Sequence, residues 1–169
     1  SFIDAMFTAV SAVCVTGLSV MSVSDKLTGA GQLVLLLLIQ AGGLGIMSIS
    51  SIIFILLGKR MSLTHEKNVR NIFEAESKEE IKKSLIRIFK YTFIVELTGA
   101  IILSACFTFS EHSLLIGLKF GFFTSISAFC NAGFFLKNDS LIGYNSFPLV
   151  TYTVSFLIIL GGMSPAICL

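Results

Sequence analysis

Charged residues are spaced unevenly along the chain, and three stretches are apolar over lengths that suit membrane-crossing helices. Residues 27–58 and residues 140–169 contain no charged side chain, and residues 91–110 carry a single acid, Glu96, in an otherwise apolar sequence. A helix needs about 20 apolar residues to cross the hydrocarbon of a bilayer. The pattern therefore predicts three crossings.

Two further apolar segments, Phe2–Val13 and Leu114–Phe129, are short for a crossing and are bounded by charged or polar residues. Each is followed by a segment that carries a glycine, residues 15–18 (loop 1) and residues 131–134 (loop 2). Backbone that leaves helical geometry at membrane depth must be buried in protein or line a watery path, because lipid cannot satisfy its polar groups. The pattern is typical of short helices that enter the membrane partway and return through a loop.

The chain contains an internal repeat that covers the end of both short helices and both loops. Residues 7–18 (FTAVSAVCVTGL) and residues 123–134 (FTSISAFCNAGF) share six residues in the same order. The identical pairs are Phe7/Phe123, Thr8/Thr124, Ser11/Ser127, Ala12/Ala128, Cys14/Cys130 and Gly17/Gly133. A second match aligns residues 38–43 with residues 157–162. Since a repeat defines the structural unit, each copy is predicted to contain a short helix, a loop with a glycine and a spanning helix.

Composition and charge place the repeat in a membrane and orient it. Hydrophobic residues make up 54% of the chain and charged residues only 13%, with a mean hydropathy of +0.91, whereas soluble domains carry about a quarter charged residues. Nine of the twelve lysines and arginines lie within residues 59–90, between the first two predicted crossings. The positive-inside rule makes this connector cytoplasmic.

The connector is predicted to contain an amphipathic helix within residues 63–90, because apolar residues recur there at helical spacing. Such a helix is either a solvated hairpin or a docking surface for a partner. Five glutamates in the same segment leave a small basic excess, so nucleic-acid binding is not expected.

With the connector inside, both loops open to the external face and the two copies are parallel about an axis along the membrane normal. Many secondary carriers instead place their sites between inverted repeats. Neither loop contains an acid or a base. Loops of this kind can line a pore in which backbone carbonyls replace the hydration shell of a monovalent cation.

The strings SAVCVTGL, LIQAGGLGIM and SAFCNAGF, in this order around a basic connector, resemble the Trk/Ktr/HKT superfamily of potassium transporters, most closely the bacterial Ktr type. The resemblance covers essentially the whole chain. It implies an all-α membrane protein built from repeated helix/re-entrant pore-loop/helix units, as in potassium channels, with four units around one pore in a complete subunit.

The chain is expected to supply about one and a half of those four units, as an internal fragment of a longer subunit. Residues 1–58 would form the pore helix, filter loop and spanning helix of unit 1, and residues 59–84 the cytoplasmic basic connector. Residues 85–169 would form the outer helix, pore helix, filter loop and start of the inner helix of unit 2.

The resemblance also implies a role for each loop residue. The two loops would form part of a selectivity filter whose backbone carbonyls bind K⁺, with the ion held at Thr16, Gly17, Ala132 and Gly133. The full set of filter residues is Val15, Thr16, Gly17, Leu18, Asn131, Ala132, Gly133 and Phe134. In the family, glycine at the first filter position goes with potassium selectivity, and serine there goes with sodium transport in some plant relatives.

Further expectations also follow from the resemblance. K⁺ is the transported ion, and sodium dependence is known in the Ktr type, although no residue here identifies a Na⁺ site. The expected partners are membrane lipid, a second copy of the full-length subunit as a homodimer, and a cytoplasmic ring of nucleotide-binding regulatory subunits. The expected location is the cell membrane, as a multi-pass protein of the bacterial inner membrane.

Several residues admit two interpretations from sequence. Glu96 either braces a neighbouring unit, since an acid within a span normally faces protein or water, or extends toward the membrane surface. The four cysteines are expected to be small buried thiols. Five glycines either permit close helix packing or form a hinge: Gly42, Gly43, Gly45, Gly161 and Gly162.

Potassium uptake through the pore is the predicted function. The sequence has no phosphate-binding glycine loop, catalytic triad or zinc signature, so an enzyme is not expected. One alternative is a non-conducting membrane scaffold or receptor whose connector binds a cytoplasmic partner. A secondary carrier for another small solute is a third reading, which inverted repeats would favour.

Overall fold

The computed structural model describes residues 2–45, 78–137, 140–144 and 147–163. These residues form six α-helices and one turn of 3-10 helix at Ile142–Tyr144, and they contain no β-strand. The helices are α1 (Phe2–Val13), α2 (Val23–Lys26), α3 (Gly29–Gly43), α4 (Lys78–Glu111), α5 (Leu114–Phe129) and α6 (Pro148–Gly162). The described part of the chain is therefore all-helical, as the sequence predicts.

Local signals in the sequence set several helix ends. The Thr28 hydroxyl accepts a hydrogen bond from the Gly31 amide at 3.3 Å, which caps the start of α3. Pro148 stands in the first turn of α6, where its missing N–H would have had no helical partner. Helices α1 and α5 have the bounds predicted from their apolar segments, so the prediction of two short helices is confirmed.

One helical segment of the described residues, Lys83–Glu111 within α4, is long and apolar enough to cross a bilayer. Helices α3 and α6 are apolar but have 15 residues each. The first and third predicted crossings continue into residues 46–58 and 164–169, which lie outside the described residues. The number of crossings therefore stays a prediction.

Helix α4 begins at Lys78, so it runs without a break across the expected boundary between residues 84 and 85. The part of the connector that is described is thus continuous with the crossing helix. The remainder of the connector, residues 59–77, lies outside the described residues, as does most of the predicted amphipathic segment.

Helices α4 and α5 pack closely as an antiparallel pair because small residues face each other. A Cβ atom on Gly117 would lie 2.6 Å from the Thr108 amide nitrogen, and one on Gly121 would lie 2.5 Å from the Ser104 amide nitrogen. Small residues at such positions let two backbones approach within a membrane. The close approach fixes the position of α5, and with it the start of loop 2.

Two buried apolar clusters hold the helices together. The first cluster joins the two copies of the repeat, since it contains Ala12 and Ile39 from one copy and Phe129 and Ala132 from the other. The second cluster lies within the second copy, where α4, α5 and α6 meet. The two copies therefore share a core, to which loop 2 contributes Ala132 and Phe134.

Candidate functional site

Each short helix leads into its loop through the same backbone hydrogen bonds. In both copies, two successive loop amides donate to carbonyls of the last helical turn. The bonds are Val15 N to Ala12 O (3.2 Å), Thr16 N to Ser11 O (2.9 Å), Asn131 N to Ala128 O (3.0 Å) and Ala132 N to Ser127 O (2.8 Å). The sequence repeat is thus also a repeat of backbone structure.

A serine shared by both copies fixes the far end of each loop. The Ser11 hydroxyl accepts a hydrogen bond from the Leu18 amide at 2.8 Å, and the Ser127 hydroxyl accepts one from the Phe134 amide at 2.9 Å. Ser127 also donates to the Phe134 carbonyl at 2.8 Å. Since backbone amides need hydrogen-bond partners, these serines supply a partner for the last amide of each loop.

The loops share left-handed backbone at matched positions. Val15 and Asn131 have φ of +55° and +57°, and Gly17 and Gly133 have φ of +78° and +70°. Glycine adopts such angles without the steric cost of a Cβ atom. The backbone angle therefore favours glycine at this position of each loop. The sequence repeat shows only that both positions are glycine.

The two loops meet at their glycines. A Cβ atom built on Gly17 would lie 2.6 Å from the Ala132 carbonyl oxygen, and one built on Gly133 would lie 3.7 Å from the Gly17 Cα. Three of the four residues predicted to hold K⁺ are thus adjacent across the two copies, while Thr16 lies exposed on loop 1. A side chain at position 17 has no room unless loop 2 moves.

The remaining loop residues differ between the copies in exposure. Leu18 is 58% exposed, whereas its counterpart Phe134 is 5% exposed and belongs to the shared core. Val15 packs on the edge of that core, and Asn131 is exposed. The loops therefore share a backbone shape but sit in different surroundings.

Glycines of the long helices support the end of each short helix. A Cβ atom on Gly42 would lie 2.2 Å from the Val13 carbonyl oxygen, and one on its counterpart Gly161 would lie 1.7 Å from the Phe129 carbonyl oxygen. Gly43 meets Cys130 in the same way, with 2.6 Å from its hypothetical Cβ to the cysteine Cβ. These contacts favour the packing interpretation over a hinge at Gly42, Gly43 and Gly161.

The other two glycines of this set have more room. Gly45 has open space around it and φ of +79°, just past the end of α3. A Cβ atom on Gly162 would meet only the Asn131 side-chain nitrogen, at an ordinary 3.7 Å. Close packing does not explain either glycine within the described residues.

Glu96 forms a polar cluster with two residues of other elements. Its side chain is 7% exposed, and its Oε1 and Oε2 accept hydrogen bonds from the Gln40 amide nitrogen at 3.0 and 3.1 Å. The Cys130 thiol lies 3.9 Å from Glu96 Oε1. Of the two interpretations from sequence, this arrangement favours the brace, because a side chain that extends to the membrane surface would be exposed.

A second polar cluster, which sequence analysis missed, includes a residue just after loop 2 in the sequence. Glu111 Oε1 accepts hydrogen bonds from Lys137 Nζ at 2.8 Å and from the Tyr144 hydroxyl at 2.6 Å. The Lys137 ammonium also lies 5.0 Å from the centre of the Tyr144 ring. Burial and the hydrogen bond to Glu111 raise the pKa of the Tyr144 phenol, which therefore stays neutral and donates.

The two cysteines of the repeat differ in exposure. Cys130 is buried, as predicted, but Cys14 is exposed, so the prediction is wrong for Cys14. The difference arises because α3 and α4 both contact Cys130, whereas the described residues place no such pair of helices over Cys14. Cys106 is half-buried.

The whole chain matches a family of membrane transport proteins. Residues 1–169 fit the sequence profile of the TrkH family, which is described as a cation transport protein. The chain belongs to this family. Membership confirms both the resemblance to Trk/Ktr transporters and the expectation that the chain is not an enzyme.

Three curated relatives illustrate the match. The chain is 38% identical to the potassium/sodium uptake protein NtpJ of Enterococcus hirae, 36% to the Ktr system potassium uptake protein B of Vibrio alginolyticus, and 37% to the protein of that name from Bacillus subtilis. Each match covers 96% of this chain and 36% of the relative. The chain thus spans about a third of the length of these relatives.

Proposed function

We propose that this chain forms part of a potassium uptake protein, in which loops 1 and 2 contribute to a selectivity filter that binds K⁺ through backbone carbonyls. The observation that carries the proposal is the meeting of two loops with the same hydrogen bonds at Gly17, Ala132 and Gly133. The relatives named as potassium uptake proteins support the choice of ion. Sodium stands beside potassium in the name of one relative, so Na⁺ is proposed as a second ion that affects transport.

The chemistry of the loops suits a weakly held monovalent cation. Neither loop carries a charged side chain, so the ligands available to an ion are backbone carbonyl oxygens, the Thr16 hydroxyl and the Asn131 side-chain amide oxygen. Conduction requires binding that replaces the hydration shell and still releases the ion. Each copy would then act as a helix, a re-entrant pore loop and a helix, and the complete pore would need further units.

The setting of the pore follows from the same proposal. The chain is proposed to lie in a bacterial inner membrane as part of a multi-pass protein, with α4 as one crossing. Relatives named as parts of a Ktr system support further subunits. We therefore propose a homodimer of the complete subunit on a cytoplasmic ring of nucleotide-binding subunits, with the basic connector as the docking segment.

The proposal is tested by Gly17→Ser in the complete gene product, expressed in cells that lack their own potassium uptake. The added Cβ lies 2.6 Å from the Ala132 carbonyl oxygen, so loop 2 must shift. We expect the ratio of K⁺ to Na⁺ uptake to fall about tenfold, equivalent to about 1.4 kcal/mol of discrimination. Uptake of ⁸⁶Rb⁺ and ²²Na⁺ measures the ratio.

Gly143→Ser is the matched control, since no atom lies within 4 Å of a Cβ atom there. The control should leave the ratio unchanged. An unchanged ratio in Gly17→Ser, at equal amounts of protein in the membrane, would contradict the filter. Unchanged uptake after Gly133→Val as well would favour a non-conducting scaffold.

A further inference from the structure

Glu96 is a buried acid within an apolar helical segment. It lies near the middle of α4, inside the segment that can cross a bilayer, and only 7% of its surface is exposed. An acid in such a place is costly, and it normally pairs with other polar groups or serves a function. The packing of apolar helices alone does not explain why an acid stands here.

The contacts of Glu96 form a closed set of three side chains. Both carboxylate oxygens accept from the Gln40 amide nitrogen, at 3.0 and 3.1 Å. The Cys130 thiol lies 3.8 Å from the Gln40 amide oxygen and 3.9 Å from Glu96 Oε1. We call these three residues the junction cluster.

The junction cluster joins the elements that hold the two loops. Gln40 belongs to α3, which follows loop 1, and Cys130 directly precedes loop 2. One turn beyond Gln40, Gly43 packs against Cys130. On the other side, the Ser125 hydroxyl of α5 donates to the Glu96 carbonyl at 2.7 Å. Glu96 thus fixes both α3 and the C-terminal end of α5 relative to α4.

The cluster lies between the copies, and the part of the chain that the structure describes contains no second example of it. In the alignment of the repeat, Ile159 stands where the first copy has Gln40, and Ile159 is 59% exposed. Cys14, the counterpart of Cys130, is exposed as well. The polar contacts therefore belong to the boundary where loop 1 meets loop 2.

We propose that Glu96 is a positioning residue that, through Gln40 and Cys130, sets the distance between loops 1 and 2 and so the discrimination between K⁺ and Na⁺. This inference rests on the proposed function of the loops. The role is one of geometry, because the carboxylate acts by accepting hydrogen bonds from α3 and does not touch the ion.

A set of variants separates position from charge. Glu96→Gln keeps an acceptor for Gln40 and removes the charge, so the K⁺/Na⁺ uptake ratio should stay within about twofold of the unmodified protein. Glu96→Ala removes the acceptor, and the ratio should fall about tenfold. Gln40→Leu replaces the donor by an apolar residue that suits α3. The K⁺/Na⁺ uptake ratio of this variant should fall to a similar degree.

The double variant Glu96→Ala/Gln40→Leu should lose no more than either single variant, because residues that act through one contact are not additive. Thr98→Ala is the matched control on α4, since Thr98 is exposed and its hydroxyl donates to Ile94 of its own helix. The control should keep the ratio. A general loss of folded protein lowers maximal uptake of both ions but leaves the ratio in place.

The outcomes distinguish the two proposals. Should Gly17→Ser lower the ratio while both Glu96→Ala and Gln40→Leu retain it, the positioning role is overturned and the filter stands. Equal losses in Glu96→Gln and Glu96→Ala would overturn it too, since charge would then matter. An unchanged ratio in Gly17→Ser refutes the filter itself. If Glu96→Ala does not fold, Gln40→Leu alone decides the inference.

Discussion

Single residues of the loops carry different backbone costs at equivalent positions. Val15 and Asn131 both have φ near +56°, which is a common angle for asparagine but an outlier for a β-branched residue. The left-handed conformation costs an L-residue about 1–2 kcal/mol. Loop 1 therefore holds strain that loop 2 avoids, and strained residues cluster at functional sites.

The cost of this angle can be measured at Asn131. Asn131→Val should lower the free energy of unfolding by about 1–2 kcal/mol, because the exposed side chain gains no packing that offsets the strained angle. Thermal unfolding of the detergent-solubilised protein measures the loss. Asn131→Gly is the matched control, since it removes the same side chain but accommodates the angle. Equal losses in the two variants would show that backbone strain is not the cause.

For single residues, the sequence indicates identities better than contacts. The repeat pointed to Gly17 and Gly133, and the structure gives both a positive φ. The repeat did not indicate Gln40, whose partner Glu96 lies 56 residues away. Such a contact depends on how α3 and α4 are arranged. The only local signal was a polar residue at a position where the other copy has isoleucine.

The pair formed by α4 and α5 depends on small residues at its contact. Gly117 and Gly121 bring α5 against Thr108 and Ser104 of α4. Lipid tails are as apolar as leucine, so helices in a membrane associate through close packing and hydrogen bonds. The α4–α5 pair is therefore held by shape, and α5 carries loop 2 on its end.

A larger residue at this contact should force the pair apart. In Gly121→Val the Cβ atom would lie 2.5 Å from the Ser104 amide nitrogen and 2.6 Å from its Cα. Overpacking of this kind costs about 1–3 kcal/mol, so the unfolding temperature in detergent should fall. Gly143→Val, which has open space around its Cβ position, is the control. An unfolding temperature that is the same in both variants would contradict close packing.

At the element scale, the bounds of both short helices could be predicted from the lengths of their apolar segments. The continuity of α4 across residues 84 and 85 could not, because the charged residues before residue 85 resemble a separate connector, while the described backbone is one helix from Lys78 to Glu111. Sequence analysis did not single out Gly117 and Gly121, because their partners on α4 depend on which face of that helix turns inward.

Within the described residues, the two copies share one buried apolar cluster. Ile39 of the first copy and Phe129 of the second lie in the same buried cluster. Gly43 of the first copy packs against Cys130 of the second copy at this boundary. The spacing of the loops is therefore a property of the assembly of both copies and of neither copy alone.

Gly43→Ala should disturb both copies together. Its Cβ would lie 2.6 Å from the Cys130 Cβ and 3.1 Å from the Cys130 Cα, so α3 must move away from loop 2. We expect a lower unfolding temperature and a K⁺/Na⁺ uptake ratio reduced about tenfold, or about 1.4 kcal/mol. Gly29→Ala, at the open start of the same helix, should change neither quantity for the worse. Normal selectivity in Gly43→Ala would show that the boundary tolerates movement.

The difference between Gln40 in the first copy and Ile159 at the matching position of the second bears on how such a protein can evolve. A duplicated unit begins with two equal copies of every position. Here the serines and glycines that hold the loop backbone are the same in both copies, whereas Gln40 and Ile159 have diverged. Because Glu96 contacts Gln40 and Cys130 at the boundary between loops 1 and 2, a change at Glu96 or Gln40 alters this boundary and leaves the shared loop backbone intact. Duplication thus makes it possible to adjust the contact between two loops while the loop backbone is retained in both copies.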